Sequence, residues 1–381
     1  MKKSVLALAV TAAVFAANSV CAVPVYEKDG NKLNLNGRIQ AVYFSNAWNK
    51  AGNKDSSLTN SVRFGFDGRV KLNDYVTGYA YTQWDMSDSN GQDRNNSVRI
   101  RDQYVGFDFG EYGKLQAGRY KGELYYVGVI DDWWDDTMAD NANFQERRAG
   151  LITYTYEGHG FHASVTGQTA MDSVSFDGAG TVNLDTGVGV SLGYKTPAFG
   201  LGPLSIRAAY EYQKFQDDNG HTSSKDFKTP DSITYSGVMD DVNGYGLGLI
   251  WGPGNRNPGL TLGAEYSVRD FGVKSNTDEN LDYKSNNFAL FVSYTFDYAV
   301  TLSTGYEWTQ FDPDNSKIKS AEYASVPVYL NWNIVPSFNV WGEAIFRVDD
   351  DYKTDTNAGY SRTKFNGKDD SFFALGARYS F

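Results

Sequence analysis

Strict alternation of apolar and polar residues is the feature of this sequence that most limits what it can fold into. In the segment 33–43, Leu33, Leu35 and Ile39 share one face, and Arg38 and Gln40 lie on the other. An α-helix does not hold a period of two over such a length, whereas a β-strand must. The sequence therefore predicts a chain built mainly from strands.

The same alternation recurs to the last residue and predicts 16 antiparallel strands. They are the ranges 33–43, 62–72, 76–84, 98–109, 114–119, 147–157, 161–168, 187–194, 204–213, 245–251, 260–269, 288–296, 300–309, 324–334, 338–348 and 371–381. Their connections alternate between short turns, such as 73–75, and long polar segments, among them 170–186, 214–241, 270–286 and 310–322. Short turns at one end and long loops at the other are typical of bacterial outer-membrane barrels.

The two faces of these strands predict which side meets lipid. A barrel of 16 strands encloses a space too wide for its side chains to fill. The apolar face must therefore point outward to lipid, and the polar face must point into a wet lumen. Aromatic residues near strand ends, such as Tyr43, Phe44, Trp251 and Trp332, fit two interfacial girdles. We predict an all-β fold, a 16-stranded antiparallel transmembrane β-barrel.

The first 22 residues have the composition of a cleaved secretory signal peptide. Lys2 and Lys3 precede an apolar run over 6–17, and small residues lead up to a cleavage site after Ala22. The predicted barrel domain is then 23–381, and the one cysteine of the chain leaves with the signal. A formal net charge of −11 argues against nucleic acid as a partner.

Motifs that carry covalent or metal chemistry are sparse. His159 and His162 have zinc-like spacing, but no third ligand is evident nearby. The glycine-rich stretch 244–252 lies within a predicted strand and opens no helix, so it indicates small side chains on a crowded barrel wall. We predict no enzyme activity, no cofactor and no metal.

One connection, about 121–146, stands out by its length and by its mixture of aromatic and acidic residues. Loops of this length are usually functional or disordered. Trp133 and Trp134 argue against disorder and favour a loop that folds back into the lumen. Its carboxylates would then line an aperture: Asp131, Asp132, Asp135 and Asp136.

Four arginines fall on the polar faces of predicted strands: Arg38, Arg63, Arg101 and Arg147. An arginine facing lipid is costly near the middle of the membrane, so these side chains should face the lumen. Opposite an acidic loop they would create a transverse field that favours small polar solutes. Asp102, beside Arg101, falls on the apolar face and breaks the alternation.

Several local motifs resemble the trimeric general diffusion porins of Gram-negative outer membranes. They include "VRFGFDG", "YVGFDFGEYGKLQAGRY", "RRAGLITY" and the terminal "RYSF". The resemblance implies that the third extracellular loop folds inward as a constriction. It matches Arg38, Arg63, Arg101 and Arg147 to the family's basic cluster. It matches Asp131 and Asp135 to the loop carboxylates, with Asp132 and Asp136 as the alternative by one register step.

The resemblance also carries expectations about partners, together with one departure. It implies a homotrimer in the outer membrane, surrounded by lipid and lipopolysaccharide. The last strand, ending at Phe381, resembles the segment that outer-membrane proteins present to the barrel-insertion machinery. Enterobacterial members carry a Pro-Glu-Phe-Gly-Gly turn at the loop tip, where this chain has "WWDDTMAD".

Three functions are compatible with the sequence. The first is a channel for passive diffusion of small hydrophilic solutes and ions, mildly cation-preferring because of the acidic excess. The second is a substrate-specific oligosaccharide porin in which Trp133 and Trp134 stack on sugar rings. The third is a structural or adhesive barrel whose long loops meet external ligands.

Overall fold

Strands make up nearly all the regular structure of the computed structural model. It describes residues 22–45, 56–87, 97–129, 147–176, 179–216, 224–228, 233–254, 256–348 and 372–381. Two short 3-10 segments, Gly110–Tyr112 and Glu123–Val127, also occur there. Within the described ranges, no helix is long and apolar enough to cross a membrane.

Within these ranges the strands are numbered β1 to β19 in chain order. They are β1 Val23–Lys28, β2 Asn31–Phe44, β3 Ser57–Lys71, β4 Thr77–Ser87, β5 Ser97–Asp108, β6 Lys114–Lys121, β7 Arg147–Gly158, β8 Phe161–Gln168, β9 Met171–Phe176, β10 Gly180–Lys195, β11 Leu204–Phe215, β12 Ser224–Lys228, β13 Thr234–Trp251, β14 Gly259–Ser275, β15 Tyr283–Thr295, β16 Val300–Pro313, β17 Ala321–Val335, β18 Phe338–Arg347 and β19 Phe372–Ser380.

Sixteen of these strands close into one antiparallel barrel. Each pairs with the next around the ring, and β19 pairs with β2 to complete it. The short strands β1, β9 and β12 are additions to the ring. All 16 predicted strands are confirmed, because each coincides with one strand of the ring.

The predicted assignment of the two faces is confirmed. On β10, Leu192 is 61% exposed on the outside, whereas the neighbouring Ser191 is 1% exposed on the inside. The same distribution recurs around the barrel: apolar side chains lie outside, and hydroxyl, amide and charged side chains lie inside. It is the reverse of the distribution in a soluble protein. Phe44 is an exception: it packs inward against Val42, Ile345 and Ala374, not in a girdle.

Several connections predicted to be long and polar are hairpins with an apolar core. β13 begins at Thr234 and β10 at Gly180, well before the predicted starts, and β14 continues to Ser275. The extended ends pack with the added strands and neighbouring connections into one buried cluster: Val174, Phe176, Val182, Leu184, Phe215, Phe227, Met239, Val242, Phe271, Val273, Leu281, Tyr283, Phe311 and Ile318. Burial of these side chains stabilises strands beyond the span needed to cross a membrane.

Candidate functional site

The four arginines predicted to face the lumen lie on the inner face of the barrel. They stand on β2, β3, β5 and β7 (Arg38, Arg63, Arg101 and Arg147). Arg38 and Arg63 are directly opposite each other in the β2–β3 ladder. The side chains of Arg63, Arg101 and Arg147 are 19%, 23% and 12% exposed. The fold therefore gathers on one sector of the wall residues that are far apart in sequence.

A carboxylate that sequence analysis missed joins two of these arginines. Arg63 donates from Nε to Oδ1 of Asp85 at 2.6 Å, and Arg101 donates from Nη1 to Oδ2 at 3.2 Å. Hydrogen bonds between ionised groups are stronger than neutral ones, so Asp85 fixes both guanidinium groups. Asp85 lies just beyond the predicted strand 76–84, on the same face as Gln83. Extending the alternation by one step would have revealed it.

A β-bulge turns Asp102 inward, so its predicted place on the apolar face is wrong. Consecutive residues of β4 face Ile100 and Asp102, which leaves Arg101 as the extra residue of β5. Such a bulge shifts the inward–outward alternation by one residue, so neighbouring side chains share a face. Asp102 accepts a hydrogen bond from Nε of Arg147 at 2.9 Å and lies 3.9 Å from Nε of Arg101.

The result is a row of alternating charge across β3, β4, β5 and β7. Its members are, in order, Arg63, Asp85, Arg101, Asp102 and Arg147. Fixed charges of both signs on a lumen wall attract polar solutes and order water, while apolar solutes gain nothing there. The wall thus favours the passage of hydrophilic molecules.

The described start of the connection that follows β6, up to Val129, runs along the inside of the barrel. Its 3-10 segment, Glu123–Val127, packs against β10, β11 and β13. The Glu123 carboxylate is buried and accepts hydrogen bonds from Oγ of Ser164 at 2.7 Å, from Thr166 and from Oγ of Ser191 at 2.5 Å. A buried carboxylate held by three hydroxyl groups fixes where the loop enters the lumen.

A buried ion pair lies beside the same entry point. Nη2 of Arg148 donates to Oε1 of Glu211 at 2.7 Å, with side chains only 1% and 5% exposed. Gly122 lies directly against this pair: a Cβ there would be 1.9 Å from Nη2 of Arg148 and 2.0 Å from Oε1 of Glu211. Only glycine fits between the loop backbone and the pair.

His162 contacts the loop through its ring. Its imidazole stacks on the Tyr126 ring, with centroids 3.9 Å apart and an interplanar angle of 13°. Its Nε2 lies 3.0 Å from Oγ of Ser191, the hydroxyl that also donates to Glu123. On the same tyrosine, Arg207 donates from Nη1 to the main-chain oxygen at 3.3 Å. His159 therefore lies in the turn between β7 and β8, and His162, on β8, supports the loop.

The glycines of the stretch 244–252 make room for the loop. A Cβ on Gly244 would lie 2.8 Å from Cδ2 of Leu124, and one on Gly248 would lie 2.4 Å from the Val127 oxygen. This agrees with the interpretation of the stretch as small side chains on a crowded wall. Because β13 has no side chain at these glycines, the loop backbone can lie close against it.

The described part of the loop ends at the opposite side of the lumen. The Val129 N–H donates to Oε2 of Glu265 on β14 at 2.6 Å, so residues 121–129 cross from β6 to β14. The remainder lies outside the described residues. That remainder includes the predicted acidic residues and both tryptophans: Asp131, Asp132, Asp135, Asp136, Trp133 and Trp134.

The described residues contain no group of three or more His, Cys, Asp or Glu side chains that could hold a metal ion. The residues that hold the loop (Glu123, Arg148, Glu211 and Glu265) were not singled out from the sequence. Arg148 directly follows the predicted Arg147, but only the three-dimensional fold reveals that the two neighbours bind carboxylates on different strands.

A closed barrel with an apolar outside, a charged inner wall and a loop inside it is the architecture of an outer-membrane diffusion channel. The model of the family described as Gram-negative porin matches residues 4–324. The chain therefore belongs to the Gram-negative porin family. It is a multi-pass β-barrel of the Gram-negative outer membrane and forms a water-filled channel for passive diffusion of small hydrophilic solutes and ions. The family consists of channels rather than enzymes.

Curated relatives agree with this assignment. The outer membrane porin protein OmpD of Salmonella typhimurium (strain LT2) is 29% identical over 323 residues, covering 80% of this chain and 81% of the relative. The putative outer membrane porin protein NmpC of Escherichia coli (strain K12) is 28% identical over 324 residues, with coverages of 80% and 81%. Outer membrane porin C of Serratia marcescens is 26% identical over 323 residues, with coverages of 81% and 81%.

Solved structures share the fold at lower identity. OmpF of Salmonella typhi, in complex with daunomycin, has a TM-score of 0.69 at 20% identity, over 94% of this chain and 100% of that one. OmpT of Vibrio cholerae in its trimer form has a TM-score of 0.61 at 15% identity, over 92% and 99%. An anion-selective porin from Comamonas acidovorans has a TM-score of 0.58 at 15% identity, over 92% and 100%.

Proposed function

We propose that this channel mildly prefers cations and carries out no covalent chemistry. Two wall carboxylates interleaved with the arginines offset part of the positive charge of this wall, which leaves the acidic residues elsewhere in the lumen to set the preference. Asp85 binds Arg63 and Arg101, and Asp102 binds Arg147. Each carboxylate offsets one positive charge where the wall would otherwise be strongly basic.

Charges beyond this row tip the balance toward acid. The buried Arg148 is matched by Glu211, so it adds no net field to the lumen. The chain as a whole has a formal net charge of −11. We propose that the carboxylates of the connection 121–146 form the acidic side of the aperture, opposite the arginine row. Cations then meet a lower electrostatic barrier than anions.

The fold alone does not decide selectivity, because the anion-selective porin from Comamonas acidovorans has the same architecture. The proposal rests on the side chains of the wall. Its direct test is the reversal potential of the purified protein in a planar bilayer under a potassium chloride gradient. A potential of the sign set by potassium supports the proposal, and one set by chloride contradicts it.

We also propose that the protein assembles as a homotrimer. The supporting comparison is the trimer form in which OmpT of Vibrio cholerae was solved. A high-mass band on a denaturing gel that is lost on boiling is the expected result. A single monomer band at all temperatures would contradict it.

The chain ends carry two further proposals. Residues 1–22 are removed as a signal peptide, which mass spectrometry of the outer-membrane protein tests by its N-terminal residue.

Phe381 presents the last strand to the insertion machinery in a membrane rich in lipopolysaccharide. Its N–H donates to the oxygen of Gly37 at 3.0 Å and its oxygen accepts from the Gly37 N–H at 2.8 Å, so it also seals the ring. Phe381→Ala should lower the amount inserted.

A further inference from the structure

Four tyrosines form a continuous aromatic patch on the inner wall of β4, β5 and β6. Tyr81 and Tyr104 stack with centroids 5.3 Å apart and an interplanar angle of 25°. Tyr79 meets Tyr104 edge to face at 6.3 Å, and Tyr120 does so at 5.7 Å. Outward neighbours on the same strand, such as Val105, are 62% exposed to the lipid side, which places the patch on the lumen side.

The patch lies on the periplasmic side of the charged row. Tyr81 is four residues from Asp85 along β4, toward the short turn at 73–75. Four residues of a strand span about 14 Å. A solute that has passed the charged row therefore meets the tyrosines next.

Polar side chains surround the rings and are hydrogen-bonded or ion-paired with one another or with the tyrosine hydroxyls. Gln83 donates from Nε2 to the Tyr81 hydroxyl at 2.8 Å, and the Tyr79 hydroxyl donates to Oε1 of Gln116 at 3.3 Å. Asp67 is opposite Tyr81 in the β3–β4 ladder, and its carboxylate lies 3.5 Å from Nε of Arg69. Because the charged groups of this polar rim around the tyrosines are already paired, the rim favours a neutral ligand over a charged one.

Packing within the wall buries one of the four rings and covers the other three in part. Tyr120 is buried and donates to Oγ1 of Thr153 at 2.9 Å, as a structural tyrosine does. Tyr79, Tyr81 and Tyr104 are half-buried, so part of each ring surface stays accessible from the lumen. Apolar ring surface exposed to lumen water is unfavourable until something covers it.

We propose that this patch is a binding site for neutral pyranose sugars passing through the channel. The C–H face of a pyranose would cover the exposed rings of Tyr79, Tyr81 and Tyr104. Its hydroxyls would exchange hydrogen bonds with the amide, carboxylate and guanidinium groups of the rim. The inference deepens the proposed function and rests on it, since the sugar must enter an open lumen. It assigns the sugar contact to wall tyrosines, whereas the alternative predicted from the sequence assigned it to Trp133 and Trp134.

The test measures block of single-channel current by maltotriose, with sorbitol as a polyol of similar chemistry that lacks a ring. We expect maltotriose to interrupt the current of the wild-type channel and sorbitol to leave it unchanged. The double variant Y81A/Y104A should need about tenfold more maltotriose for each ring removed. Y81F/Y104F keeps the ring faces and should retain the block. Tyr245→Ala, on the outer face of β13, is the matched control and should behave as the wild type.

The outcomes separate the two proposals. A protein that conducts no ions contradicts the channel and the sugar site together. A conducting wild type that maltotriose does not block, or that sorbitol blocks equally well, overturns the sugar site alone. Block that survives in Y81A/Y104A but is lost in Trp133→Ala would also overturn it, because the sugar would then bind at the loop. The wild-type comparison of the two solutes needs no variant, so a folding defect does not leave the proposal untested.

Discussion

Arg148 on β7 and Glu211 on β11 form a buried ion pair at 2.7 Å, although two strands of the ring lie between them. The pair links β7 to β11 on the inner wall where the inner loop begins, and Gly122 packs against it. A bridge of this kind holds the loop entry and the wall in one fixed geometry. The residues around it provide the first tests of how the loop entry is held.

Glu211→Gln should destabilise the barrel, because it leaves the Arg148 guanidinium buried beside a neutral partner. Loss of one partner from a buried pair costs about 3–5 kcal/mol. The measurement is the denaturant midpoint of the purified protein in lipid. Glu27→Gln removes a partner of the exposed Lys32, at 2.6 Å, and should change stability by less than about 1 kcal/mol. Equal effects of the two changes would refute a special role for the buried pair.

Glu123→Ala should loosen the loop, because Ser164, Thr166 and Ser191 all donate to this carboxylate. We expect single-channel currents that are noisier than those of the wild type and a mean conductance that is altered. Glu111→Ala, in the 3-10 segment at the opposite end of the barrel, is the control and should leave the current unchanged. Currents identical to the wild type in Glu123→Ala would show that other contacts suffice to hold the loop.

Gly248→Ala should push the loop toward the lumen. The added Cβ would lie 2.4 Å from the Val127 oxygen and 2.7 Å from Cγ1 of Val129, and neither the loop backbone nor the strand has room. Lower conductance is expected in bilayer recordings. Gly68→Ala meets its nearest neighbour at 3.9 Å and serves as the control. A wider channel in Gly248→Ala would mean that the loop moves away from the aperture instead.

Much of the architecture follows from a period of two that any short segment reveals. Each of the 16 strands and the direction of its faces could be predicted because alternation is a local property. The hairpin ends of β10, β13 and β14 could not, since their apolar core forms only when separate hairpins meet. Polar residues between the apolar ones made these segments resemble loops.

Some residues of the candidate site could likewise be predicted from the sequence, and others could not. Arg38, Arg63, Arg101 and Arg147 could be placed on the inner wall from their strand faces alone. Asp102 could not, because a bulge depends on how β5 registers with β4, which alternation within β5 does not encode. The contacts of Glu123 and Arg148 join residues dozens of positions apart, so no spacing in the sequence announces them.

Asp85 and Asp102 offset the positive charge of the wall arginines and so shift the pore toward cations, and the double variant D85N/D102N tests this effect most directly. The measurement is its reversal potential under a potassium chloride gradient, beside that of the wild type and of Asp297→Asn, a change in an exposed turn. Neutralising Asp85 and Asp102 uncovers the positive charge of Arg63, Arg101 and Arg147. We expect the potential to shift toward chloride in the double variant alone. A potential unchanged from the wild type would contradict it.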